Sequence, residues 1–272
     1  MVAWALYPEF NALFRSTDQG ATWDRRPMPS QVPVSPMGPS IAFVDDMQGW
    51  LLSAASPETQ CNAEGSSVWH TVDGGATWQL LPVTGIAAAQ CKLNISFVDP
   101  RRGFITAWDD NHRPTIYRTS DGGVTWTGST LTDPAGFVTS PGGFTLTVGV
   151  VRRFDPRLLV EAWGTQADGI HRYVLSSSDG GATWATLGTA PAAQESVAFV
   201  NADRWLQLAT HRETTDSGKS WHALNTDYSQ AAPIAPQVVF ADSTAGYATV
   251  RGEIQRTIDG GTHWSAIKSP GT

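Results

Sequence analysis

The chain has only two cysteines, Cys61 and Cys91, in 272 residues, too few for a disulfide framework to hold it together. It has no apolar run near the roughly 20 residues that a membrane-spanning helix needs, so no transmembrane segment is expected. No signal peptide is visible either, although a targeting segment removed from the chain would leave the same picture. Positive charge is scarce: 18 Lys and Arg face 25 Asp and Glu, a formal net charge of −7. Holding nucleic-acid phosphates requires the opposite balance, so no nucleic-acid partner is expected. The arginine pairs that do occur, Arg25-Arg26, Arg101-Arg102 and Arg152-Arg153, read as solvated surface. No segment sustains an apolar period of 3.6 residues, which excludes a helical architecture.

What the chain does have is repetition. One eight-residue turn recurs six times, each copy ending in tryptophan: STDQGATW from Ser16, TVDGGATW from Thr71, TSDGGVTW from Thr119, SSDGGATW from Ser177, TTDSGKSW from Thr214 and TIDGGTHW from Thr257. Its aspartates, Asp18, Asp73, Asp121, Asp179, Asp216 and Asp259, are separated by 55, 48, 58, 37 and 43 residues, about the length of one four-stranded sheet. An aspartate at the head of a tight turn can fold its carboxylate back onto backbone N–H groups and a nearby hydroxyl. Glycine two residues later permits positive φ, and the Trp covers the turn with an apolar ring. The six aspartates are therefore read as structural staples, not as catalysts or metal ligands.

The flanks repeat too. An apolar strand ending in Asp or Asn (IAFVDD from Ile41, ISFVDP from Ile95, VAFVNA from Val197, VVFADS from Val238) precedes a strand opened by Gly and an aromatic (Gly49-Trp50, Gly103-Phe104, Gly246-Tyr247, with Arg204-Trp205 as a variant). A third strand leads into the turn and a fourth begins at its Trp. Four antiparallel strands repeated radially make a β-propeller. The expected fold is all-β, a single six-bladed propeller of four-stranded antiparallel blades over 1–272. The blades fall near 1–28, 41–82, 93–128, 146–188, 195–224 and 236–269. The first blade lacks an innermost strand, which is read as N-terminal trimming because an open ring would expose a strand edge.

In such blades the loop between second and third strands and the connection to the next blade emerge on one face, and the repeated turns lie on the other. Cys61 and Cys91 fall in one loop of each kind around blade two, so a disulfide between them is expected, and with it an oxidising, extracytoplasmic location.

The phrasing from FVD through the Gly-aromatic strand and a hydrophobic-Arg-Thr step into Asp-Gly-Gly-x-Thr-Trp resembles the Asp-box (BNR) propeller superfamily over essentially the whole chain. Leu13-Phe14-Arg15-Ser16, Ile116-Tyr117-Arg118-Thr119 and Ile254-Gln255-Arg256-Thr257 make it most similar to the photosystem II stability/assembly factor-like branch. That resemblance implies a secreted, periplasmic or cell-surface binding or scaffold protein, with similar repeats in many non-photosynthetic bacteria. Sialidases share the box and need an arginine triad, a tyrosine nucleophile backed by a glutamate, and an aspartate acid/base. Their early Arg-Ile-Pro element is missing, and only Tyr228 sits where a nucleophile is expected.

Loop lengths place the site. The loops opposite the boxes are longest in blades two to four, holding Glu58, Asn62 and Glu64, then Trp108 through Asp109, Asp110 and His112 to Arg113, then Trp163 through Asp168 to His171 and Arg172. Trp108 and Trp163 occupy equivalent strand ends, where blade six has Arg251. Trp108, Asp109, Asp110, His112, Arg113, Trp163, Asp168, His171 and Arg251 are the expected binding residues for a protein or glycan, because aromatics beside carboxylates and amides suit sugar stacking or peptide contact. The rival expectation is a sialidase-like or two-carboxylate glycosidase on the same face, with Asp109, Asp110, Glu161, Asp168 and Asp227 as its candidates. His112-Arg113, His171-Arg172 and His211-Arg212 lie at unequal offsets from their boxes, so no metal site is assigned and no cofactor is called for. A monomer is expected.

Overall fold

The computed structural model describes residues 2–7, 12–29, 39–54, 65–109, 113–137, 146–230 and 234–267. These form twenty-five strands and no helix, arranged as six small antiparallel sheets around an axis. Blade one has β1 (Ala3–Tyr7), β2 (Ala12–Ser16) and β3 (Asp24–Arg26). Blade two has β4 (Ser40–Phe43), β5 (Gly49–Ala54), β6 (Ser66–Thr71) and β7 (Gln79–Leu80). Blade three has β8 (Gln90–Phe97), β9 (Gly103–Asp109), β10 (Pro114–Thr119) and β11 (Thr127–Gly128). Blade five has β18 (Ala198–Phe199), β19 (Trp205–Gln207), β20 (Arg212–Thr214) and β21 (His222–Ala223). Blade six has β22 (Gln237–Phe240), β23 (Gly246–Val250), β24 (Glu253–Thr257) and β25 (Ser265–Ile267).

Blade four is larger than expected. Its sheet contains β12 (Thr130–Leu131), β13 (Thr147–Val148), β14 (Arg152–Phe154), β15 (Arg157–Gln166), β16 (Gly169–Ser177) and β17 (Thr183–Ala190). The innermost strand is broken into β13 and β14, which both pair with β15. On the outer edge β12, from the connection leaving blade three, pairs in parallel with β17. Sequence alone assigns that connection to neither blade, because two residues carry no periodicity.

The second-strand glycine has a steric cause. In blades three and six a β-carbon at Gly103 or Gly246 would sit 2.6 Å from Phe97 or 2.7 Å from Phe240, whose rings fold over that position. Blade five departs from the expected alignment. Trp205 stands opposite Phe199 and Thr214, where Gly103 stands opposite Phe97 and Thr119, so the aromatic has taken the glycine's own place. Phe199 answers by turning edge-on to Trp205, at 5.6 Å and 86°.

Apolar side chains are buried chiefly between blades. Trp50, Leu52 and Val68 of blade two pack with Ile95, Phe97, Ile105, Tyr117 and Trp126 of blade three, and equivalent clusters join blades three to four, four to five and five to six. Each large side chain so buried contributes about 1.5–3 kcal/mol. Trp4 stacks on Phe43 at 3.6 Å just as Trp50 stacks on Phe97 at 3.6 Å, which ties blade one to blade two by the same device as two to three. The ring closes on the first box. Arg256 of blade six donates to the Gln19 side-chain oxygen at 3.1 Å, and Ile267 fills the space beside Gly20.

Candidate functional site

Every box forms one hydrogen-bonded knot. The Ser or Thr hydroxyl donates to the aspartate Oδ1 at 2.8–2.9 Å in all six copies. The same hydroxyl oxygen accepts the N–H of the residue four positions on, which is Gly20, Gly75, Gly123, Gly181, Gly218 or Gly261. Oδ1 also accepts the backbone N–H of the residue before the Trp. Oδ2 takes the hydroxyl of Thr22, Thr77, Thr125, Thr183 or Ser220, and in the sixth box a ring nitrogen of His263. Hydrogen bonds from Thr22 and Thr77 hold Asp18 and Asp73 down to about 2. Asp121 reaches about 2 against the opposing effect of burial, through Thr125 and Thr119, and Asp259 reaches about 2 through His263. Asp179 and Asp216 are lowered too, led by Thr183 and Ser220. A carboxylate so stabilised as an anion, with both oxygens engaged, makes a poor proton carrier.

On the opposite face, the β9–β10 turn is built on Asp109. Its carboxylate accepts the backbone N–H of Arg113 at 2.8 Å and the Arg113 Nε at 3.2 Å. Trp108 stands opposite Cys91 and Pro114, half-buried. Asp110 and His112 lie outside the described residues, as do Glu58, Cys61, Asn62 and Glu64. Cys91 is buried and is not a free thiol.

In blade four, Glu161, Trp163 and Arg172 come together. Arg172 donates to Glu161 at 2.8 Å, and its guanidinium lies 5.4 Å from the centre of the Trp163 ring. It also holds the Ala193 carbonyl at 2.6 Å, while Glu161 accepts the Val197 N–H at 2.9 Å. Burial raises the Glu161 pKa against the opposing pull of Arg172. Asp168 and His171 pair at 2.7 Å on the exposed β15–β16 turn, and that hydrogen bond lowers the Asp168 pKa. Arg251 is exposed at a β23–β24 turn with φ +48°, followed by Gly252 at +85°.

Two expectations are corrected. Tyr228 is buried against Trp264, its hydroxyl donates to Gln230 at 2.5 Å, and burial together with the charges of Glu253 and Glu195 pushes its pKa up to about 12. That is the reverse of an activated nucleophile. Asp227 stands not among the long loops but beside the sixth box, where its carboxylate accepts the Trp264 N–H at 2.8 Å. Sequence reasoning also missed Glu195. This buried carboxylate accepts both the N–H and the hydroxyl of Thr210, at 3.0 and 2.8 Å, and so clamps the β19–β20 turn. No periodic signal distinguishes it, because it stands in a connection.

Among the described residues no group of three His, Cys, Asp or Glu side chains is gathered as a metal site would require. A cavity of about 630 Å³ lies where sequence reasoning did not look, at the box end of the axis, lined by Trp4 and the innermost strands.

Comparison with known proteins agrees with this architecture. Residues 165–270 match the family model described as photosynthesis system II assembly factor YCF48. A curated relative, xyloglucanase Xgh74A of Acetivibrio thermocellus, is 24% identical over 231 residues, covering 75% of this chain. The chain spans only about a quarter, 26%, of that enzyme. YCF48 from Cyanidioschyzon merolae superposes with a TM-score of 0.53 at 16% identity, over 97% of this chain and 80% of that one. The microbial sialidase Hz136 gives 0.58 at 15% identity, over 83% and 57%. The α-L-arabinofuranosidase Arb93a of Fusarium graminearum gives 0.55 at 13% identity, over 85% and 80%. At such identities the solved structures speak for the fold alone. Six boxes, six sheets and the matched C-terminal blades make this chain a six-bladed Asp-box (BNR) propeller related to YCF48.

Proposed function

We propose that this is a non-enzymatic binding or scaffold propeller that recognises a protein or glycan on the face formed by the loops of blades two to four. The observation that carries this reading is the state of the candidate catalytic groups: Glu161 is sealed in an ion pair with Arg172, Asp109 is spent on its own turn, and Tyr228 is buried with a raised pKa. A general acid or base must be free to reach its proton. Trp108 and Trp163, by contrast, are half-buried at equivalent register positions, Trp108 near the end of β9 and Trp163 inside the longer β15–β16 hairpin under the Arg172 guanidinium, an arrangement suited to stacking and hydrogen bonding. Kinship with glycan-active enzymes keeps a glycoside hydrolase as the rival reading.

An extracytoplasmic location belongs to the same proposal, supported by a Cys91 that is not a free thiol, and so does a monomeric state. Glycan-array screening together with pull-down is the test. Trp108→Ala and Trp163→Ala are expected to weaken each captured ligand by more than about 1 kcal/mol, with Tyr247→Phe on blade six as the control. Ligands held equally by both tryptophan variants would move the site off this face.

A further inference from the structure

At the box end of each interface between blades, the loop from the innermost to the second strand satisfies groups on both sides. In blade two the Met47 carbonyl accepts the Gly74 N–H of the box at 2.8 Å, and the Asp46 carbonyl accepts the Arg15 guanidinium of blade one at 3.2 Å. The two donors adjoin: Arg15 Nε lies 3.6 Å from where a β-carbon on Gly74 would stand. Blades three, five and six hold the same box amide, that of Gly122, Ser217 or Gly260, on the carbonyl of Arg101, Asp203 or Thr244 at 2.8–3.0 Å. Blade four does not. Its loop is reduced to Asp155-Pro156 between Phe154 and Arg157, and among the described residues no carbonyl accepts the Gly180 N–H. Gly180 is exposed where Gly74 and Gly260 are buried, and beyond its chain neighbours no heavy atom lies within 4 Å of the place its β-carbon would take. Arg118 has lost its acceptor with the loop. It stands opposite Phe104 as Arg15 stands opposite Trp4, yet its Nε is enclosed without a hydrogen bond and, among the described residues, no carboxylate pairs with it. An enclosed charge without a partner is costly.

We infer that this notch between blades three and four binds a small tetrahedral oxyanion, phosphate or sulfate, free or as a monoester, at a site separate from the loop face. The planar Arg118 fork takes two oxygens in a bidentate pair. The Gly180 N–H, presented by the next blade, takes a third oxygen, which a planar carboxylate does not have. A guanidinium beside a turn amide is a recurrent way of holding such anions. The carboxylates of the neighbourhood do not fill the place themselves. Asp155 is neutralised by Arg153 at 2.7 Å, and both oxygens of Asp179 are engaged inside their own box, by Ser177 and Thr183. Because the notch opens to solvent at Gly180, the organic part of a monoester can stay outside it.

Calorimetric titration of the whole chain with inorganic phosphate, sulfate, methyl phosphate and acetate tests the inference, with the Gly180 amide resonance followed by NMR. Phosphate and sulfate are expected to bind, with acetate about tenfold weaker or worse because it leaves the third donor unused. The Gly180 resonance should move to saturation as phosphate is added to the parent. Methyl phosphate held like phosphate would identify a monoester as the ligand, and its exclusion would assign the site to the free ion. Arg118→Gln should lose about tenfold in phosphate affinity or more, and Arg118→Lys nearly as much, because lysine keeps the charge and not the fork. Arg101→Gln, exposed on the same end of the ring, should bind like the parent. Thermal midpoints near the parent value establish that the variants are folded. A parent that binds no phosphate, acetate equal to phosphate, a Gly180 resonance unmoved while phosphate binds, undiminished binding by Arg118→Gln, or an equal loss in Arg101→Gln would each overturn the assignment.

Discussion

At the residue scale, the meaning of a carboxylate in this protein is set by what it touches. Glu161 belongs to the type of residue that a two-carboxylate hydrolase uses, yet it is 7% exposed and bonded to both Arg172 and the Val197 N–H. Removing one partner of a buried ion pair strands the other charge, which typically costs about 3–5 kcal/mol. Glu161→Ala is therefore expected to lower stability by roughly that amount in chemical denaturation; a variant as stable as the parent would mean that Glu161 is free for chemistry. Arginine 152 shows the converse. In the sequence, Arg152-Arg153 looks like any other solvated arginine pair, but in the structure Arg153 is neutralised by Asp155 while Arg152 has no acidic partner among the described residues. Charge pattern alone cannot separate them, because the difference comes from which groups the ring brings near.

At the scale of elements, the Asp box was legible because its bonds are local. Every donor and acceptor of the knot lies within six residues, so spacing alone implies it. Its role between blades was not legible. Trp50 donates to the Gly122 carbonyl of the next blade's box at 2.9 Å, and Arg204 donates to Gly260 at 2.8 Å. The connections between blades run beside the following box as well: Thr84 bridges Thr125 in parallel, Thr130 pairs with Thr183, and Asp227 holds Trp264. These contacts span 37 to 72 residues in the cases of Asp227 and Trp50, and no local pattern encodes them. The boxes also make stability depend on pH. Asp18, Asp73, Asp121 and Asp259 have folded pKa values of about 2, below the roughly 3.9 of an unfolded aspartate. The stability they add is present in full above that unfolded value and is lost as pH falls through the folded one. Asp121→Asn should thus lower the thermal midpoint at pH 5, with the gap to the parent narrowing toward pH 2. A gap independent of pH would show that the charge plays no part. His263 works in the opposite sense: Asp259 raises its pKa, so its contribution is present below the ordinary histidine value and fades as pH rises through the folded one.

At the scale of the whole molecule, six repeats and their spacing made the propeller readable, while the two ends of the axis did not yield to the same reading. Loop length points to the face bearing Trp108 and Trp163, but the cavity lies at the box end, because innermost strands of different blades meet there and no single repeat contains that space. Ring closure through Arg256 and Gln19 joins positions near opposite ends of the chain, a contact that repeat periodicity implies only in outline. The proposed Cys61–Cys91 link would staple the second blade to the third. Thiol titration of the unreduced, denatured protein should then find no free thiol, and two reactive thiols would refute the link. The central claim is that this propeller binds without catalysing, and its most direct test is turnover. Purified protein is incubated with xyloglucan, arabinan and sialyllactose, and released sugar is followed over an extended time. The expected result is no release above the protein-free control, from the parent or from Asp109→Asn and Glu161→Gln. Release by the parent that either substitution abolishes would contradict the claim and identify this face as an active site.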